Sequence, residues 1–151
     1  MALDQTPPLS PQGAVGIVGL GTWQTAAGTR WVLAALAGGE GSVVSFQLTQ
    51  DDDKPVLQQA WTSSQISMPQ TPVIANGVVF VLSSGDIRRK GKLTGHATLH
   101  ALDGETGKEI WSSGDLATAP ANRTGLTVAN GRIFFSTIDS TFYAFGLPSP
   151  N

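Results

Sequence analysis

The stretch ALDGETGKEIW, residues 101–111, decides how the chain is interpreted. Its centre, GETGKE, has the glycine and lysine of a phosphate-binding loop, which requires G-x-x-x-x-G-K followed by Ser or Thr. The residue after the Gly-Lys pair is Glu109, and Leu102 stands where the first glycine is needed. A phosphate loop also opens a helix, whereas EIWSSG is β-branched, aromatic and short. A nucleotide site is therefore not expected here.

The same stretch fits a β-hairpin. TLHAL before it and EIW after it have strand composition, and between them lie Asp103, Gly104, Thr106 and Gly107. Asp hydrogen-bonds its own backbone two residues on, and Gly supplies a positive φ without steric penalty. A loop of four or five residues that contains Gly, between two apolar runs, indicates a hairpin. Trp111 then lies on its second strand.

Composition limits the classes of function. The chain has 151 residues, of which 13 % are charged, and a formal net charge of −2. This balance gives no electrostatic footprint for nucleic acid. The absence of Cys excludes disulfides, thiolate metal sites and a Cys nucleophile. The 18 Gly and 9 Pro residues suit an all-β chain with many tight turns.

Neither a signal peptide nor a membrane span is predicted. The first residues, MALDQTPPLSPQ, lack a basic segment and carry Asp4. No apolar run approaches the roughly 18 residues that are needed to cross a bilayer.

A repeat becomes visible when TPVIANGVVFVLSSGD, from Thr71, is compared with TGLTVANGRIFFSTID, from Thr124. Each predicts two strands around an Asn-Gly turn, which is the strongest short-range hairpin signal. A third strand follows in each copy, with Ala101 and Ala144 at the same place.

A more degenerate copy precedes these two. GTWQTAAGTRWVLAALAGG and GSVVSFQLTQDDDKPVLQQAW predict four strands that end near Trp61, at the place that Trp111 holds in the next copy. Four strands per repeat of about 40 to 50 residues indicate a β-propeller blade. The predicted fold is all-β, with two complete four-stranded antiparallel units and one three-stranded unit. The expected organisation is a lead-in at 1–22, one propeller segment at 23–147 with units at 23–63, 71–115 and 124–147, and a tail at 148–151.

ALDGETGKEIW resembles the repeat of the pyrroloquinoline-quinone (PQQ) propeller proteins, roughly A-x-D-x-x-T-G-K-x-x-W. The resemblance is specific from Thr71 to Leu147 and weaker in the first unit, which lacks the TGK turn. In that family the Trp lies between blades and packs on the turn of the next blade. The resemblance thus implies a blade-docking role for Trp61 and for the matching positions of the later units, which are Ala101, Asp103, Thr106, Gly107, Lys108, Trp111 and Ala144.

The number of units determines which partners are expected. Closed propellers have about four to eight blades, and each blade buries its faces against its neighbours. With three units or fewer, the end units should expose bare apolar faces. We therefore interpret the chain as the C-terminal blades of a larger propeller or as a self-associating module. The expected partners are further blades, second copies or another protein.

A dinucleotide-binding motif is mimicked by AVGIVGLGTWQ, where Gly19 and Gly21 match G-x-G-x-x-G but Gln24 replaces the last glycine. Glu40 stands near the distance of a ribose-binding acid, within GGEGS. The surrounding βαβ unit is absent from the pattern. A glycine-rich outer strand is the simpler interpretation.

Two further features are weak metal candidates. His96 and His100 have no carboxylate near them in the pattern, so they make a poor metal site. The triplet at residues 51–53 could bind Ca²⁺, but it lacks the usual alternation with glycine and favours a solvated turn.

An insertion, GDIRRKGKLTGH, interrupts the second unit between Gly85 and His96. Long loops on a rigid scaffold often carry function, which makes this loop a candidate contact for a protein partner or an anionic group. A solvated loop is the alternative. Its basic residues are Arg88, Arg89, Lys90 and Lys92.

The resemblance implies two classes of function. The first is a binding or assembly scaffold of the periplasm or cell envelope. The alternative is the C-terminal part of a PQQ-dependent alcohol or sugar dehydrogenase, in which an Asp, an Arg and a Trp surround the quinone and Ca²⁺. None of those residues maps onto this chain, so no catalytic, cofactor or metal residue is assigned. A fold alone does not fix a function.

Overall fold

The computed structural model describes residues 6, 9, 16–37, 41–52, 54–85, 87–89 and 92–146, with only the backbone of 87–89 and 92–94. These residues form thirteen β-strands in three antiparallel sheets and one small hairpin, with no α-helix among them. The three sheets are stacked and do not close into a ring. No helix in this part of the chain is long and apolar enough to span a membrane.

The first unit is a four-stranded meander. Its strands, in both chain and sheet order, are β1 (Ile17–Gln24), β2 (Arg30–Leu36), β3 (Ser42–Asp51) and β4 (Lys54–Thr62). β1 begins inside the expected lead-in segment and pairs antiparallel with β2. The glycine-rich stretch is therefore an edge strand of a meander, and no crossover helix follows it.

The second unit has the sheet order β10-β9-β6-β5. Its strands are β5 (Val73–Ala75), β6 (Val78–Ser83), β9 (Thr98–Asp103) and β10 (Glu109–Ser112). The insertion is a hairpin of its own, in which β7 (Ile87–Arg89) pairs with β8 (Lys92–Thr94). The predicted insertion between the second and third strands of the unit thus carries two short paired strands.

The third unit has three strands among the described residues: β11 (Thr127–Ala129), β12 (Arg132–Ser136) and β13 (Phe142–Gly146). A single 3-10 turn, Gly114–Leu116, precedes it. Asn76 and Asn130 both have φ of 51°, and the glycine after each is also at positive φ. Two consecutive positive φ values suit the tight hairpin turn that Asn-Gly predicts, so both hairpins are confirmed.

The pairing registers confirm the sequence repeat. Both complete units have a β-bulge beside the tryptophan of the fourth strand. Trp61 and Trp111 therefore hold equivalent places, as do Ala101 and Ala144. Residues that pair directly across adjacent strands form a row in each sheet. The equivalent rows of the three units are Leu33–Ser45–Trp61, Phe80–Ala101–Trp111 and Phe134–Ala144.

Two apolar clusters join the three sheets face to face. The first lies between units 1 and 2, where Leu33 and Val43 meet Val79, Val81 and Leu102, all fully buried. The second lies between units 2 and 3. Because side chains alternate across a strand, unit 2 uses one face for each neighbour. The second cluster is centred on Leu82, Leu99, Ala97, Ala117, Ala121 and Phe135.

The two outer faces of the stack differ. On unit 1, Ala34, Val44 and Phe46 point away from unit 2 and yet are only 2 %, 4 % and 5 % exposed. The expectation of a bare apolar face was wrong for the centre of this sheet, although Leu20 on its edge strand is 60 % exposed. On unit 3, Phe142 is 68 % exposed, as that expectation requires.

The joint between units 1 and 2 should dominate stability. We expect Leu33→Ala to lower the free energy of unfolding by about 2–5 kcal/mol, because Leu33 is fully buried in that joint. Leu116→Ala is the matched control, since Leu116 is 64 % exposed and should change stability by less than about 0.5 kcal/mol. Urea unfolding followed by circular dichroism measures both. Equal losses would show that the joint does not hold the units together.

Candidate blade-docking site

The turn after β9 is organised by one carboxylate. Asp103 Oδ1 accepts hydrogen bonds from the backbone N–H of Glu105 at 3.2 Å and of Thr106 at 2.8 Å, and from the Thr106 hydroxyl at 2.7 Å. The backbone N–H of Gly107 donates to the Asp103 carbonyl at 2.8 Å, and that of Asp103 to the Lys108 carbonyl at 2.8 Å. The turn residues of the sequence therefore form one closed network.

This network lowers the pKa of Asp103 below its usual value of 3.8. The hydrogen bond from the Thr106 hydroxyl is the largest cause, followed by the bond from the Thr106 backbone N–H. Both donors favour the charged carboxylate. Asp103 is therefore ionised in the folded chain at neutral pH.

Trp61 lies against this turn from the neighbouring unit. Its side chain is buried, and its indole N–H donates to the Gly104 carbonyl at 3.1 Å. Gly107 has a φ of +71°, and a Cβ placed on it would lie 2.3 Å from Trp61 Cε3. A left-handed backbone and this close approach both require glycine. Gly107 of the Thr-Gly pair thus leaves room for the indole ring of Trp61, which belongs to the preceding unit.

Trp111, at the equivalent place in unit 2, is less enclosed. It is 44 % exposed and contacts Phe145 of unit 3 edge-to-face, with ring centroids 5.7 Å apart. Unit 3 has no turn after β13 among the described residues, so this tryptophan meets an aromatic side chain in place of a turn. The two tryptophans share a register but differ in their surroundings.

The remaining predicted site residues divide into two groups. Ala101 is buried in the sheet, whereas Ala144, Thr106 and Lys108 are exposed. The basic residues of the insertion are separated in sequence from the docking turn. They belong to the segment that forms the β7–β8 hairpin. Of these, Arg88, Arg89 and Lys92 lie on its two strands, and Lys90 lies outside the described residues.

Part of the same joint was not anticipated from the sequence. A Cβ on Gly19 would lie 2.3 Å from Thr71 Oγ1, and one on Gly21 would lie 2.8 Å from Ile74 Cδ1. The glycines that mimic a dinucleotide motif therefore allow β1 to approach the start of unit 2. Their spacing of two, which puts both on one face of a strand, is the signal that could have shown this.

The histidines also differ from expectation. His100 Nδ1 lies 2.6 Å from Glu109 Oε2, and His96 Nε2 lies 2.9 Å from Asp115 Oδ1. The expectation that neither histidine has a nearby carboxylate was wrong. Strand pairing brings Glu109 to His100, and the 3-10 turn brings Asp115 to His96. Within the described ranges, no three His, Cys, Asp or Glu side chains converge as metal ligands.

Stacked four-stranded antiparallel sheets, joined where a tryptophan of one sheet meets the turn of the next, define the class as β-propeller blades. The chain belongs to the PQQ_2 family of PQQ-like repeats, whose family model is described as outer membrane protein assembly factor BamB and matches residues 40–147. Searches of curated proteins and of solved structures found no match.

The fit of the turn to Trp61 can be tested at two glycines. Gly107 and Gly131 have similar φ values of +71° and +68°, but a Cβ on Gly131 meets nothing within 4 Å. We expect Gly131→Ala to cost about 1–2 kcal/mol for its left-handed backbone. Gly107→Ala should cost about 1–3 kcal/mol more, since its methyl group overlaps the indole. Chemical unfolding measures the difference, and equal costs would show that the turn does not need the close approach.

The lowered pKa of Asp103 predicts acid sensitivity. The folded-state pKa lies below the unfolded value, so the stabilisation is present above pH 3.8 and is lost as the pH falls through the folded pKa. Wild-type stability should therefore decrease below about pH 4 more steeply than that of Asp103→Asn. Thermal unfolding between pH 2.5 and pH 6 measures this. Parallel profiles for the two proteins would contradict the prediction.

Proposed function

We propose that the chain is part of a PQQ-repeat propeller that acts as a binding or assembly scaffold in the cell envelope. The family description supports this, since it names an assembly factor of the outer membrane. The matched sequence positions support it as well, because Trp61 and the 103–107 turn contact each other between units. Proteins of this architecture bind through surfaces that adjacent repeats create together.

One observation carries the proposal. Units 1 and 2 each bury one sheet face against the unit that follows. The equivalent face of unit 3 is exposed. Phe134 is the equivalent of the buried Leu33, and it stacks on Phe142 with ring centroids 5.8 Å apart. Phe142 is 68 % exposed. This aromatic face is suited to dock another blade of the same repeat.

A second copy of the chain can serve as that blade in solution. The centre of the outer face of unit 1 is already buried, which disfavours a head-to-tail joint. Two copies would then meet through their unit 3 faces, which gives a symmetric dimer. The dehydrogenase alternative would need a quinone site, for which the resemblance assigns no residue of this chain.

Light scattering on a sizing column tests the aromatic face. We expect a concentration-dependent dimer for the wild type and a monomer for Phe142→Ser, because the variant removes the most exposed aromatic ring of the face. Leu116→Ser is the matched control, as Leu116 is similarly exposed at 64 % but lies on the 3-10 turn. A wild-type monomer, or equal effects of both variants, would contradict the role of this face.

Cofactor addition tests the choice of function. PQQ with Ca²⁺ should leave the tryptophan fluorescence of the purified protein unchanged and give no dye-linked alcohol oxidation. Stoichiometric quenching together with alcohol oxidation would instead support the dehydrogenase.

A further inference from the structure

A second surface lies between units 1 and 2, on the side of the molecule that carries their hairpin turns. It is a groove of about 900 Å³ between the β1–β2, β5–β6 and β9–β10 turns. Its described lining includes Trp23, Gln24, Asn76, Asp103, Glu105 and Thr106. The groove is separate from the aromatic face of unit 3.

The charges of this groove have one sign. Asp103 and Glu105 are the ionisable residues of its described lining, and none of the described lining residues is basic. Glu105 is exposed, and its carboxylate has no hydrogen-bond or ion-pair partner in the described part of the chain. Asp103 is ionised, and its Oδ1 is fully engaged in the turn. Lys108 follows in sequence but is not part of the described lining.

One wall of the groove is a rigid aromatic ring. Trp23 stacks on the buried Trp31, with ring centroids 6.0 Å apart and planes at 10°. A Cβ on Gly104 would lie 2.8 Å from Trp23 Cζ2, so the ring is held against the turn that carries the two carboxylates. An indole held beside carboxylates is a favourable setting for a cation.

We infer that this groove binds an arginine side chain of a partner polypeptide, with the guanidinium between the Glu105 carboxylate and the Trp23 ring. A guanidinium is planar, so it can lie along an aromatic ring and donate to a carboxylate at the same time. A lysine ammonium offers no such plane. The inference rests on the proposed scaffold function, for which it names the chemistry of a partner.

The test uses an acetylated and amidated Gly-Arg-Gly peptide and its citrulline counterpart, which has nearly the same shape but no charge. The indole N–H resonance of Trp23 in a ¹H–¹⁵N spectrum reports binding. We expect the arginine peptide to shift this resonance in a saturable and salt-sensitive way. The citrulline peptide should not shift it. Equal shifts from both peptides would overturn the inference, as would the absence of a shift with the arginine peptide.

Two charge-neutralising variants locate the site. Glu105→Gln should raise the dissociation constant about three- to fivefold, the effect of one exposed ion pair. Asp52→Asn removes the same charge from the β3–β4 turn, at an exposed residue with φ of 45° that Asn tolerates. It should leave binding unchanged. Equal weakening by both would show attraction to net charge alone and overturn the inference.

The two proposals can fail separately. Self-association through Phe142 is a property of unit 3, whereas the groove belongs to the joint of units 1 and 2. If the protein forms a dimer but does not bind the arginine peptide, the arginine site is ruled out and the scaffold proposal stands. If the protein binds the arginine peptide but is strictly monomeric, self-association through the aromatic face is ruled out and the arginine site stands.

Discussion

The contact of Trp61 with the 103–107 turn is the constraint on which the rest of the structure depends. It joins a ring at the end of one sheet to the backbone of the next through one hydrogen bond and one close approach. The hydrogen bond satisfies a buried indole N–H, which would otherwise be costly to bury. The absence of a Cβ at Gly107 lets the turn come this close to the ring. Sheets joined in this way can bury apolar faces on both sides, as unit 2 does.

The same turn also shapes the groove. The hydrogen bonds that hold Asp103 in place give the turn its form and keep its carboxylate charged. That carboxylate lines the same groove as Trp23, whose ring closely approaches Gly104 of the same turn. The residue that organises the turn thus also lines the groove. For this reason Glu105, which contributes no side-chain hydrogen bond to the turn, is the more informative residue for function.

Local signals in the sequence predicted local structure well. The Asn-Gly turns, the strand order and the equivalence of Trp61 and Trp111 follow from short-range chemistry and from the repeat, and the registers agree with them. The missed features around His100 and Gly19 depend on contacts between different strands or units. The carboxylate beside His100 comes from the neighbouring strand, and the partners of Gly19 come from another unit. Within one strand, only the spacing of Gly19 and Gly21 on a single face hints at such a neighbour.

The repeat also has a direction, which constrains how copies of the chain can meet. A tight joint needs a tryptophan on the fourth strand of one unit and a glycine-containing turn on the next. Unit 1 has a short turn around Asp52 in place of that glycine-containing turn, and unit 3 has no fourth strand among the described residues. A head-to-tail joint between copies would therefore lack both halves of the contact that Trp61 makes. Apolar contact through Phe142 needs neither half, which is why the proposed association of two copies is symmetric.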